Sequence, residues 1–204
     1  MKLYSNIPLG ERSLLCINGG RLMAATASAK IKTKDMAYIA TFVVLTAICS
    51  WISIPTIVPF TLQTFGIFLT IGVLGGKRGT LAVLTYLLLG IVGVPVFSGF
   101  SGGINYIFGS TGGYIIGFLF SALVMWGMES LLGKKKWVLP VSMVLGLLVC
   151  YIFGTIWFMF VYMNDSGGTG LLTALGWCVF PYIIPDIIKI IFALIISKRL
   201  KRIC

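Results

Sequence analysis

Histidine is absent from the 204 residues, and only 10% of them are charged, with five carboxylates in all. The first absence removes the commonest metal ligand and any Ser/His/Asp or Cys/His catalytic arrangement. Five scattered acids leave little for general acid/base work, which needs titratable groups positioned together. The cysteines Cys16, Cys49, Cys150, Cys178 and Cys204 form no CxxC pair and read as free thiols. Cys204 is the last residue, so no CaaX prenylation box exists. A Walker A loop is also missing. The stretch GVLGGKR from Gly72 to Arg78 has three residues between its outer glycines instead of four, and Arg follows the Lys. No nucleotide site is visible, no cofactor is implied, and ATP-driven work has to come from another subunit.

What is present is apolar surface. Hydrophobic residues make up 58% of the chain, more than one water-soluble core can hide. Lipid is the expected solvent. Apolar runs fall at about 36–54, 60–75, 79–97, 111–132, 137–163 and 171–197. A span needs about 20 residues to cross roughly 30 Å of hydrocarbon, so six helices fill the length. The second run is short for a crossing, which suits a protein-lined or thinned zone, and the last is long, with Pro181 and Pro185 as the place for a bend.

The net charge of +11 marks orientation rather than nucleic-acid binding, because the basic residues are not spread over a polar surface. They cluster before the first run (Lys30, Lys32, Lys34), after the second (Lys77, Arg78), after the fourth (Lys134, Lys135, Lys136) and after the last (Lys198, Arg199, Lys201, Arg202). The other three connections contain no Lys or Arg. By the positive-inside rule, the expectation is an all-α bundle of six transmembrane helices with both termini cytoplasmic. Residues 1–30 have only short apolar runs, a poor signal peptide, and read as a cytoplasmic tail before a domain at 31–204.

Two charges remain in the middle of the last run, Asp186 and Lys189. Each costs roughly 2.5–3.5 kcal/mol at a helix centre on insertion scales. Lys189 precedes the cytoplasmic Lys198 by nine residues, which puts it about 13–14 Å into the layer. The i, i+3 spacing places both side chains on one helix face. One reading is an internal ion pair that fixes packing. The favoured one is a polar ligand site, since intramembrane ionisable groups face a cavity or pathway. Pro185 at the first helical position would leave backbone N–H groups beside the Asp186 carboxylate. A fixed acceptor next to a fixed donor suits a neutral polar head such as a cyclic urea; Lys189 taking a ligand carboxylate is the alternative.

Ser98 to Gly113, SGFSGGINYIFGSTGG, is rich in glycine and uncharged, so it makes no continuous helix. It reads either as a lid or binding wall, with Asn105 offering donors and acceptors, or as a surface loop. Gly112 and Gly113 suit close helix packing. Thr61, Gln63 and Thr64 lie in an apolar setting where hydrogen bonds across helices are the better expectation for each. Trp51, Tyr86, Tyr106, Tyr114, Trp157 and Trp177 can pack a hydrophobic ring, but spacing alone singles out none. Glu129 reads as an interfacial charge.

The blocks VPFTLQTFG, KRGTLAVLTYLLLGIVGVPVFSGFSGG and GSTGGYIIGF, followed by Asp186-x-x-Lys189-x-x-x-Ala193, resemble the BioY family. These are biotin-specific S components of energy-coupling factor (ECF) transporters. The resemblance runs from about Met36 to Lys198. It implies a bacterial cytoplasmic-membrane subunit that captures biotin from outside and docks onto a membrane scaffold subunit with two cytoplasmic ATPases. It also implies that Asp186, Lys189 and Asn105 contact biotin, and that small residues of the first helix, Ala37, Ala40 or Thr41, form the docking face. Two departures stand out: Ser110 replaces a proline common in the family, and residues 1–30 have no recognised counterpart. The competing reading is a solo carrier or channel for a small polar solute. The lack of an obvious internal repeat speaks against a repeat-built one.

Overall fold

The computed structural model describes residues 33–54, 59–166 and 171–201. The expected tail at 1–30 lies outside them, as do Cys16 and Cys204. Helix α1 (Thr33–Trp51) carries Asp35 in its first turn, where the positive end of the helix dipole favours a carboxylate. Asp35 also pairs with Arg78 at 3.1 Å. A hairpin of two-residue strands follows, β1 (Ser53–Ile54) antiparallel to β2 (Phe60–Thr61), with Ser53 opposite Thr61. Next come α2 (Gln63–Leu74) and α3 (Gly76–Val92), joined by Gly75 at φ +80°. That left-handed value is open to glycine at little cost and turns the chain sharply between two helices.

The glycine-rich stretch is irregular, as its composition requires: a 3₁₀ turn at Ser98–Phe100 and one short helix, α4 (Ile104–Phe108). Then α5 (Gly112–Leu132) and α6 (Val138–Ser166) pack side by side. A Cβ on Gly113 would run into the Trp157 side chain of α6, so this glycine sets how near the two helices come. The last apolar run is two helices, α7 (Leu171–Cys178) and α8 (Phe180–Leu200), with the break at Val179 (φ −124°, ψ −56°). Pro181 occupies the first turn of α8, where a missing N–H costs nothing. Pro185 lies inside α8, which corrects the expectation that it starts the helix and supplies free N–H groups to Asp186.

Each of the six apolar runs contains helix. Among the described residues, four helical stretches are long and apolar enough to cross a membrane: Thr33–Trp51, Gly112–Leu132, Val138–Val161 and, across the Val179 break, Leu175–Leu200. The outer faces of the last two carry exposed Ile156, Phe160, Ile184 and Ile188, a greasy surface that water would not tolerate on this scale. Helix α2, of 12 residues, is about 18 Å long and too short to span the layer alone. It sits in the bundle interior against α1, α3, α5 and α8, with Ile67, Phe68 and Ile71 fully enclosed. Protein, not lipid, surrounds it. The β1 and β2 strands ahead of it pair with each other through their backbones.

Candidate functional site

Helix periodicity turns Asp186, Lys189 and Ala193 to one face of α8, inward, while Ile187, Ile188 and Phe192 point out. Asp186 is 4% exposed and Lys189 6% exposed, so neither charge is left to bulk solvent. The Lys189 ammonium donates to Asp186 Oδ1 at 2.7 Å and to the Thr61 carbonyl at 2.7 Å. It also stands 4.0 Å above the Phe60 ring, a cation–π contact strengthened by desolvation. Asp186 Oδ2 accepts from the Tyr151 hydroxyl at 2.5 Å. Both charges are compensated by neighbours from β2 and α6.

The pair borders a cavity of about 640 Å³, counting its open mouth. Ile115, Phe118 and Leu147 give it an apolar side; Tyr114, Tyr151 and Tyr182 give it rings with polar tips. Asp186 and Lys189 are the only formal charges on its lining among the described residues. Such a wall holds a mostly apolar ligand and fixes one polar end. The two readings of the charged pair therefore coincide: it is an ion pair that ties α8 to the hairpin, and it faces a cavity.

Thr61, Gln63 and Thr64 all reach the lining. Gln63 is held in place by its amide donating to Tyr86 at 3.0 Å, and Tyr86 in turn donates to the Val96 carbonyl at 2.9 Å. Ser98, Tyr106 and Thr111 bring the glycine-rich stretch to the lining as well, so it is a wall of the cavity. Phe97, fully buried, anchors it by stacking on Tyr106 at 5.5 Å and meeting Tyr86 edge-on at 5.6 Å. Asn105 is placed differently. It lies on the exposed side of α4 and off the lining, while its neighbour Tyr106 faces in.

Sequence reasoning missed Tyr151, which carries half of the Asp186 hydrogen bonding, and the main-chain carbonyl of Thr61. One tyrosine in a long apolar helix gives no signal of its role, and a carbonyl gives none at all. Cys49, Cys150 and Cys178 are free and buried, the last two on the cavity wall. Among the described residues no group of His, Cys, Asp or Glu is arranged to hold a metal ion.

The sequence matches the BioY family over residues 23–204. This chain belongs to the BioY family. The match begins inside the segment read as a tail. Among relatives, the "Probable biotin transporter BioY" of Pyrococcus horikoshii is 42% identical, covering 84% of this chain and 98% of its own length. The "Biotin transporter BioY" of Thermotoga maritima is 43% identical over 79% of this chain and 92% of the relative. The fold is also similar, at a TM-score of 0.73 and 30% identity, to a crystal structure at 2.1 Å of the S-component for biotin from an ECF-type ABC transporter. That likeness covers 83% of this BioY-family chain and 91% of the other.

Proposed function

We propose that this BioY-family protein is the biotin-binding S component of an energy-coupling factor transporter, capturing biotin from outside and passing it inward. The observation that carries the reading is the Asp186–Lys189 pair on the wall of a largely apolar cavity, in a chain whose relatives are named biotin transporters. Biotin has the matching form: a polar cyclic urea, an apolar ring and chain, and a carboxylate. The urea N–H and C=O groups suit Asp186 and Lys189 respectively, with the apolar side of the cavity taking the rest of the molecule. Asn105 joins the site if the α4 segment shifts toward the mouth when ligand enters.

The six helical runs form six spans, with the enclosed α2 and the outward-facing α3 completing the set, and both termini lie in the cytoplasm. The alternation of connections with and without Lys or Arg supports this. Residues 31–204 are the membrane domain and 1–30 a cytoplasmic tail, in a bacterial cytoplasmic membrane. ATP hydrolysis is assigned to two partner ATPases joined through a membrane scaffold subunit. The exposed face of α1 with Ala37, Ala40 and Thr41 suits close docking against that scaffold.

Calorimetry on the purified chain tests the substrate, with thiamine and riboflavin as controls. Selective biotin binding is expected; absence of binding by a folded sample overturns the assignment. Copurification with an ATPase pair supports the energy-coupled form, whereas biotin uptake by the chain alone in vesicles favours a solo carrier.

A further inference from the structure

The helices that line the cavity also enclose a second recess with their other ends. Cavity residues Gln63, Tyr114, Cys150 and Asp186 have their counterparts about two to three turns further along, or back, in Ile71 of α2, Met125 of α5, Leu139 of α6 and Lys198 of α8. The second recess measures about 660 Å³ with its open mouth. Its floor is apolar, from Ile71, Met125, Val138 and Leu139. Its rim carries five ammonium groups: Lys134, Lys135 and Lys136 from the α5–α6 connection, and Lys198 and Lys201 from the end of α8.

One carboxylate, Glu129, belongs to this lining, and it is already engaged. It accepts the backbone N–H of Gly76 at the start of α3 and pairs with Lys134 at 3.7 Å. No carboxylate pairs with Lys135, Lys136, Lys198 or Lys201 among the described residues. Like charges are thus gathered from two separated parts of the chain around an apolar hollow. An anion seated here relieves that crowding.

We propose that this recess binds the phosphodiester headgroup of an anionic phospholipid, with the upper part of the acyl chains against Ile71, Met125, Val138 and Leu139. Inorganic phosphate satisfies the rim and wastes the floor. A neutral hydrocarbon does the reverse. An anionic lipid matches both and is supplied by the surrounding bilayer, and basic recesses at helix ends on the membrane face have the chemistry to hold such headgroups. The proposal concerns residues remote from the biotin cavity and stands independently of the substrate assignment.

The test uses the full chain in a neutral detergent, with thermal unfolding and native mass spectrometry during titration with phosphatidylglycerol, cardiolipin, phosphatidylcholine or inorganic phosphate. Retained anionic lipid and a raised Tm are expected, with no such response to phosphatidylcholine or phosphate. The variant K198Q/K201Q should weaken apparent affinity for phosphatidylglycerol by about tenfold or more. K34Q/K77Q removes the same charge from exposed sites elsewhere and should change it by less than about threefold. Both pairs are exposed, so each variant is expected to unfold at the parent Tm when no lipid is added. Equal losses in both variants, or equal binding of phosphatidylcholine, overturn the site. Saturation by phosphate alone replaces the lipid with a free anion. Unchanged lipid affinity together with loss of copurifying partner subunits makes the recess a protein interface and refutes the proposal.

Discussion

Replacing Lys189 by Met keeps most of the side-chain volume and removes one charge from a pair that is almost wholly buried. Asp186 would then retain the Tyr151 hydroxyl but lose its counter-ion at 2.7 Å, and the Thr61 carbonyl would lose its donor. Breaking a buried pair by deleting one partner costs roughly 3–5 kcal/mol, because a charge is left without compensation. The double variant Asp186→Asn/Lys189→Met removes both charges. Its carboxamide still accepts from Tyr151, so stability should return to within about 1–2 kcal/mol of the parent, the remainder being the orphaned Thr61 carbonyl. Thermal unfolding in detergent measures this order, and biotin calorimetry on the same samples measures the site. The expected pattern is a large drop in Tm for the single variant, recovery in the double, and tight biotin binding lost in both. Parent-like stability of Lys189→Met would refute the claim that the pair is a compensated buried one. Parent-like biotin binding by the double variant would reduce the pair to a packing device and move the ligand elsewhere.

Three further predictions rest on other contacts. Tyr151→Phe deletes a hydrogen bond to a buried carboxylate, worth roughly 1.5–3 kcal/mol, and should lower both Tm and biotin affinity without abolishing either. Gly113→Ala should cost about 1–3 kcal/mol, since its Cβ meets Trp157, whereas Gly127→Ala on the same helix meets nothing within 4 Å and should gain up to about 1 kcal/mol of helix propensity. Parallel melting curves separate the two, and equal losses would contradict the close approach of α5 and α6. Asn105→Ala should weaken biotin binding less than Asp186→Asn; an unchanged calorimetric isotherm removes Asn105 from the site.

The long elements were legible because apolar length and basic punctuation are one-dimensional signals. The limits of α1, α5 and α6 fall within a few residues of the runs at 36–54, 111–132 and 137–163. The hairpin Ser53–Thr61 was not legible: two-residue strands are too short to show a period, and their pairing depends on how α2 is enclosed. The division of the last run at Val179 was hidden for a related reason. Two prolines marked a bend, but whether a proline starts a helix or lies within one depends on where the preceding turn begins. At the site, charge in an apolar run pointed straight to Asp186 and Lys189. Their partners came from β2 and α6, 128 and 35 residues away from Lys189 and Asp186 respectively, distances over which a single sequence carries no pairing signal. Each of Thr61, Gln63 and Thr64 taken alone in the sequence suits packing; their common exposure to one cavity emerges only when hairpin and helix meet.

The Val96 carbonyl accepts from Tyr86 and also from Ser50 at 2.5 Å, while Tyr86 receives the Gln63 amide. One main-chain oxygen thus rivets together the end of α1, the start of α2 and the middle of α3 through three side chains, and the Trp51 indole adds a fourth fastening to the adjacent Pro95 carbonyl at 2.9 Å. Admission of a ligand cannot easily draw these three helices apart, because any such parting breaks several buried hydrogen bonds at once. Any widening of the cavity therefore falls on its opposite side, where the Gly109 carbonyl at the end of the short α4 segment accepts the Trp157 indole N–H of α6 at 3.1 Å.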